Sequence, residues 1–419
     1  MNELAHAQTI AYDDAWLVGG ARTPFADYNG TLRDVSATDL GIKAAREALK
    51  ATGVRPEKID AVVTASVAQT SFDAFFIARH IGLYAGVPIG VPALLVQRLC
   101  TSGFEAILQA ADQLALGKSK AVLCVGTESM SRNPIAAYTH RGGFRMGQVE
   151  FKDFLWEATL DTAPKSRMGD TAEELAKRYQ ITREDTDAFA AASFERAIAA
   201  REAGFFEGEV VPVTGEQFER AGYATREIRL PRKVAAVEAD EHPRPTPIEA
   251  LKALKPAFKG VQTGGNSSAI VDGAAAVVVA GKGFNGGFNG ARPIARIVAG
   301  AAVGVPPEIM GIGPAPAIRA VLAKAGLKLG DIDRFEINEA FGAQYIAVER
   351  ELGLDRTKVN VNGGAIAIGH PLGATGVRCT LTLARELRRS KGRYGIATAC
   401  AGGGQGVAIL IENPDAPNG

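Results

Sequence analysis

Polar and apolar positions alternate at helical spacing through residues 44–52, stop at Gly53, and give way after a short turn to a buried strand ending near 68. Residues 317–341 repeat this pattern. At an offset of 273, Leu49, Gly53, Ile59 and Asp60 match Leu322, Gly326, Ile332 and Asp333. A second pair strengthens the repeat. Residues 103–128 predict a helix over 104–116 and a strand over 121–125; residues 376–402 predict a helix and then a strand over 395–400. The run AAAVVVA at 274–280 reads as a strand buried on both faces. Strands alternating with helices in both halves predict parallel strands and a layered α/β architecture.

The tract GKGFNGGFNG at 281–290 is the expected link between the halves, since Gly and Asn supply positive-φ turns. Residues 131–266 have no counterpart in the repeat. They hold helical stretches at 171–179 and 183–203 and a Pro- and Arg-rich run at 231–247, and are expected to lie over the first half. The expected division is therefore 1–130, completed by 267–290, as one half, 131–266 as an insertion, and 291–419 as the other half.

Composition narrows the possible functions. With 419 residues, 47% apolar and 22% charged, the chain is neither disordered nor fibrous. Lys plus Arg number 47 against 46 acids, a balance that argues against nucleic-acid binding by general phosphate attraction. No run of about 18 apolar residues exists, so membrane insertion is not expected. Residues 1–16 carry no Lys or Arg and two Asp, which fits neither a secretory signal nor a transit peptide. Four cysteines in so long a chain suit a reducing compartment, and the expected location is cytoplasmic.

Four blocks place reactive side chains beside glycines at strand–helix junctions. Cys100, in QRLCTSGF, stands just before a helix, where unpaired amides and the positive dipole end favour a thiolate. A lone cysteine in an apolar sequence is, however, more often a small buried apolar residue. His370 lies in the glycine-rich run 360–376, where an imidazole can approach another loop closely. A phosphate-cradling loop is the other reading, although no Walker lysine or Gly-x-Gly-x-x-Gly follows a strand there. Cys400 opens the glycine loop ACAGGGQG, and Asn338 begins NEAF at the end of a strand expected over 334–337.

Together these blocks resemble the thiolase family, and the similarity runs over nearly the whole chain. Further matches are Arg22 to Phe25, Met168 to Glu173, Leu254 to Phe258, Gly264 to Ser268 and Asp272 to Ala275. Two positions depart from the family's pattern: Gln97 replaces Asn or a small polar residue, and Thr101 replaces Ser, Ala or Gly. The resemblance implies an α/β fold of two repeated α-β-α-β-α halves with an inserted loop domain. It also implies acyl transfer between coenzyme A thioesters, which enter as substrates, with no metal and no further cofactor. By resemblance Cys100 is the acyl-accepting nucleophile, His370 holds or takes its proton, and Cys400 is the acid/base at the substrate α-carbon. One oxyanion hole would combine His370 with a water held by Asn338, and the other the N–H groups of Cys100 and Gly402. Met168 matches a residue lining the acyl pocket, Ser268 one touching pantetheine, and Arg244 an adenine-side arginine. Arg226 and Arg229, in the basic run 220–233, are candidates for CoA phosphates, with a solvated face as the alternative reading. Cys124 and Cys379 are expected to serve packing. A related condensing enzyme or a non-catalytic thiolase-fold binding protein are the other functions considered; Cys400 argues against the first and the complete set of reactive residues against the second. A homodimer or homotetramer is expected, with strands 121–125 and 274–280 near the shared edge.

Overall fold

The computed structural model describes residues 6–138, 140–281, 283–284 and 292–417. Nine strands form the body of one sheet: β1 (Trp16–Arg22), β2 (Ala61–Ala65), β3 (Ala93–Val96), β4 (Ala121–Ser129), β5 (Val271–Ala280), β6 (Ala295–Gly304), β7 (Arg334–Ile337), β8 (Tyr394–Ala401) and β9 (Gln405–Glu412). Their order is β7-β8-β9-β6-β1-β5-β4-β2-β3. Short strands at Gln8–Ala11 and Ala26–Asp27 attach to β6 and β5. Read inward from β7 or from β2, the order repeats itself, and the two halves join through Ala295–Leu17 and Arg296–Trp16.

The expectation of parallel strands holds only in part. β7 and β8, β2 and β4, and β2 and β3 are parallel, each reached through a helical crossover. The remaining neighbours are antiparallel. The reason is local at β8 and β9, where a glycine turn from Ala401 to Gln405 returns the chain at once.

The helices that matter for the site are α1 (Ala37–Thr52), α2 (Ser102–Ala115), α3 (Met168–Arg178), α4 (Arg183–Glu202), α5 (Pro314–Ala325), α6 (Gly342–Leu352) and α7 (Leu372–Ser390). α1 starts where the Ser36 hydroxyl accepts the Asp39 N–H and stops at Gly53, in the left-handed region at φ 65°. Its counterpart α5 stops in the same way at Gly326, φ 69°. α1 packs on β1, β4 and β5 and α5 on β6 and β9, while α2 and α7 pack against each other between the halves. Every residue of β5 is buried, and Val277, Val278 and Val279 each contribute roughly 1.5–3 kcal/mol of apolar burial.

Where α2 meets α7, a Cβ on Gly103 would lie 2.8 Å from Gly373 O, Gly376 N and Val377 N. Gly103 and Gly376 are equivalent in the repeat. Absence of a side chain at both lets the two helix starts touch backbone to backbone.

The insertion does not sit only over the first half. α3 and α4 pack on α6 of the second half, because their apolar faces meet its buried side, while the strand Arg226–Ile228 lies against α1. Its strands are two-stranded pairs only. The tract expected as the inter-half link lies largely outside the described residues. β4 and β5 are interior strands with a neighbour on each side, so they cannot form a shared edge; the end strands are β7, whose outer side meets Val359, and β3.

Candidate active site

Cys100 follows β3 on a tight turn. Leu99 adopts φ 48°, a conformation that costs a non-glycine residue about 1–3 kcal/mol. The turn is held by Thr101 N–H to Arg98 O and Ser102 N–H to Leu99 O, both 3.0 Å. Gln97, a departure from the family pattern, spends its Oε1 on the Leu99 N–H at 3.2 Å. The Thr101 hydroxyl, the other departure, donates to Arg98 O at 2.8 Å. The Thr101 and Ser102 amides are therefore occupied within the turn. The backbone N–H groups of Gly402 and of Cys100 itself favour the anionic form of the sulfur. Burial outweighs them and pushes the Cys100 thiol up to about 11.

Cys400 ends β8, fully buried, with Ala340 and Met310 around it and Met168 and Phe341 packed alongside. Burial first, then the neighbouring Cys100, raises its pKa. Asn338 follows β7, the parallel neighbour of β8, and its N–H donates to Thr398 O at 2.9 Å. Both residues thus stand at the same C-terminal sheet edge, where α/β sheets gather ligands. The Arg98 guanidinium joins the Cys100 turn to the Cys400 hairpin, donating to Glu105 at 2.9 Å and to Gln405 Oε1 at 3.0 Å.

His370 is buried just before α7, its N–H donating to Ala269 O at 3.0 Å. The glycine contact between α2 and α7 brings it to the side of the site that holds Cys100. Nδ1 lies 2.6 Å from Thr375 Oγ1 and Nε2 3.5 Å from Asn338 Nδ2. Burial, with the Arg378 charge second, pushes the imidazole down to about 3, so it is neutral at pH 7. Asn338 Oδ1 is buried with no hydrogen-bond partner among the described residues, as a carbonyl that fixes a substrate-side water would be. The loop before His370 is pinned by Asn360, whose Nδ2 donates to Ile337 O and Glu339 Oε1, both at 2.8 Å.

The structure also brings in a residue the sequence reading did not single out. Glu128 ends β4, buried, and accepts the N–H groups of Val67, Ala68 and Gly373 at 3.0–3.1 Å. Burial raises it to about 7 despite those donors. One acid in the apolar run AVLCVGTES was its visible signal.

The expected substrate contacts divide. The Ser268 N–H donates to Ala340 O at 3.0 Å, and Met168 packs on the Cys400 cluster, with its sulfur 3.2 Å from where a Cβ on Gly402 would lie. Arg229 is exposed and paired with Glu227; Arg244 is exposed, 3.3 Å from its neighbour His242 O. Arg226 corrects the expectation. Its guanidinium is taken by Asp39 at 2.7 Å and Asp73 at 2.6 Å, so it bridges α1 to the insertion and offers no free charge to a phosphate. Cys124 and Cys379 are buried away from the loops, their thiols raised by burial. Among the described residues no group of His, Cys, Asp or Glu is arranged to hold a metal ion. No described helix is long and apolar enough to cross a membrane.

Two cysteines thus stand at one glycine loop, with a neutral histidine and a buried asparagine at the same end of the sheet. Residues 15–283 match the model of the thiolase N-terminal domain and residues 291–413 that of the thiolase C-terminal domain. The chain belongs to the thiolase family and is an acyltransferase. It is 45% identical to the mitochondrial 3-ketoacyl-CoA thiolase of Bos taurus, over 95% of this chain and 98% of that one. It is 41% identical to a beta-ketothiolase of Cupriavidus necator, over 94% and 98%. The crystal structure of human mitochondrial 3-ketoacyl-CoA thiolase in complex with CoA superposes with a TM-score of 0.89 at 44% identity, covering 96% of this chain and 98% of that one. Two of these relatives are named as mitochondrial, so they lend the cytoplasmic expectation no support.

Proposed function

We propose that the protein makes and breaks the carbon–carbon bond of 3-oxoacyl-CoA thioesters, reversibly, through an acyl group carried on Cys100. The observation that carries this is the sulfur of Cys100 lying under two backbone N–H groups with Cys400 as its neighbour. A thiol held near 11 costs about 5 kcal/mol to ionise at pH 7, so its proton leaves together with attack, to Nε2 of His370. Sγ adds to the thioester carbonyl, the oxyanion takes the Cys100 and Gly402 N–H groups, and CoA leaves as thiol with the proton from His370. Each such donor is worth about 3–4 kcal/mol in the transition state. Cys400, having passed its own proton to His370, then acts as a thiolate and removes a proton from the α-carbon of acetyl-CoA. The resulting enolate, its oxygen held by His370 and a water on Asn338, attacks the acyl-enzyme and releases Cys100, which takes the proton back from His370. Thiolysis runs the same steps backwards.

Ser268 and Met168 are proposed to touch the pantetheine arm and the acyl chain, and the exposed Arg229 and Arg244 remain available to the nucleotide end. Residues 131–266 are proposed as the domain that covers CoA, between halves at 1–130 with 267–290 and at 291–419. A second copy of the chain is proposed to pair at β3. Its outer edge has no partner among the described residues, and Leu94, Leu95 and Ile89 are exposed beside it. The test of the reaction is thiolysis of 3-oxoacyl-CoA substrates from four to sixteen carbons. Acetyl-CoA release with an acyl adduct on Cys100 supports the reading, and no cleavage across the series overturns it.

A further inference from the structure

Three backbone N–H groups and a hydroxyl converge on the buried Glu128, which takes no part in the steps above. Its Oε2 accepts the N–H groups of Val67 and Gly373, both at 3.0 Å; Oε1 accepts the Ala68 N–H at 3.1 Å and the Ser66 hydroxyl at 3.4 Å. Gly373 is the second residue of α7, and that helix has no cap of its own. Pro371 at the N-cap makes no side-chain cap bond, and the first turn holds no acid. The first amides of a helix lack partners within it and favour nearby negative charge. Glu128, 245 residues away on β4, supplies both.

The packing leaves no other group room to do so. At the 273-residue offset Ala65, Thr127 and Gly373 match Asn338, Cys400 and Cys100. In this matching place of the first half, a Cβ on Gly373 would lie 2.5 Å from Ala65 O and 2.7 Å from Thr127 O. Backbone sits on backbone, and the Glu128 carboxylate ties the two together. From there the tie reaches the imidazole, because Thr375, in the same first turn of α7, has its Oγ1 2.6 Å from His370 Nδ1.

Resting on the catalytic reading above, we propose that Glu128 is a positioning residue: by holding the Gly373 N–H it fixes the first turn of α7, and with it the place of His370 Nε2. No proton passes through Glu128. Its charge works against the nucleophile, since it raises the Cys100 thiol. Its value to the reaction therefore lies in reach and not in charge.

The experiment compares wild type with three variants at pH 8, above the value of about 7 to which burial pushes this carboxyl. Glu128→Gln loses the charge but keeps an oxygen for Val67 and Gly373, its NH2 turned to the Ser66 hydroxyl. Glu128→Asp keeps the charge and is one carbon shorter. Glu128→Leu keeps the bulk and accepts nothing, and should it not fold, Glu128→Asp decides. Acylation of Cys100 and exchange of the acetyl-CoA α-proton are expected to fall about ten- to a hundredfold in Glu128→Asp and Glu128→Leu, with KM changed less than about threefold. Glu128→Gln is expected to stay within about fivefold of wild type. In a His370→Asn background, Glu128→Asp is expected to cost less than a further factor of about three, because it acts only through that ring. Amide hydrogen exchange over residues 372–376, without substrate, is expected to be about tenfold faster in Glu128→Asp than in wild type. Wild-type rates in Glu128→Asp would overturn the proposal. So would equal losses with and without His370, which mark a purely structural acid. The exchange measurement needs no substrate, so a wild-type protein without acyl transfer would count against the catalytic reading while the hold on α7 was still decided.

Discussion

The backbone N–H of Gly402, together with that of Cys100 itself, favours the anionic form of the Cys100 sulfur. The hairpin that supplies Gly402 also carries Cys400, and Arg98 fastens this hairpin to the nucleophile turn through Gln405. One short loop therefore fixes where Cys400 stands relative to Cys100. Because burial exceeds the help of these two donors, Cys100 rests as a thiol.

That thiol sets the first prediction. Burial disfavours the charged form, so alkylation of Cys100 by iodoacetamide should rise about tenfold per pH unit from 7 towards 10, following a pKa near 11. Peptide mass spectrometry of quenched samples measures it. A plateau already reached by pH 8 would show a preformed thiolate.

Cys400→Ala should leave CoA release on acylation of Cys100 within a few-fold of wild type. It should slow condensation by about 10²–10⁴-fold, because only the proton transfer at carbon is lost. Equal losses in acylation and condensation would make Cys400 a partner of the nucleophile instead.

Arg226→Met should leave KM for CoA unchanged and lower stability by about 1–3 kcal/mol, because it strands Asp39 and Asp73 beside the start of α1. A chemical denaturation midpoint and a Michaelis curve separate the two effects. A raised KM with full stability would return Arg226 to the CoA site.

Much of this was visible in the residues. Gly53 and Gly326 announced two helix stops, and the strand expected over 334–337 is the one observed, because those segments are fixed by local pattern. Arg226 was misread because its charge count is local while Asp39 and Asp73, 187 and 153 residues away, are not. The insertion's seat on α6 was hidden for the same reason: an amphipathic face shows that a partner exists, and not which one. Thr375 lay in plain view five residues after His370, but only the fold shows that its hydroxyl meets Nδ1.

Leu94→Lys with Leu95→Glu should yield a monomer of about 44 kDa, since charge on an open edge blocks strand pairing. A stable pair would otherwise bury over about 2,000 Å². Light scattering at sub-micromolar concentration reads the mass. An unchanged oligomer would move the interface elsewhere, and a fully active wild-type monomer would remove the need for one.

Gly103 and Gly376 hold the same position of a repeated unit, so each half meets the other through the same side-chain-free helix start. Across the 273-residue offset, His370 answers to Gln97, Cys100 to Gly373, and Cys400 to Thr127. Each half thus carries reactive residues that the other lacks at the matching position. A gene split at the join would therefore yield two fragments that are inert separately, and active only if they find each other again.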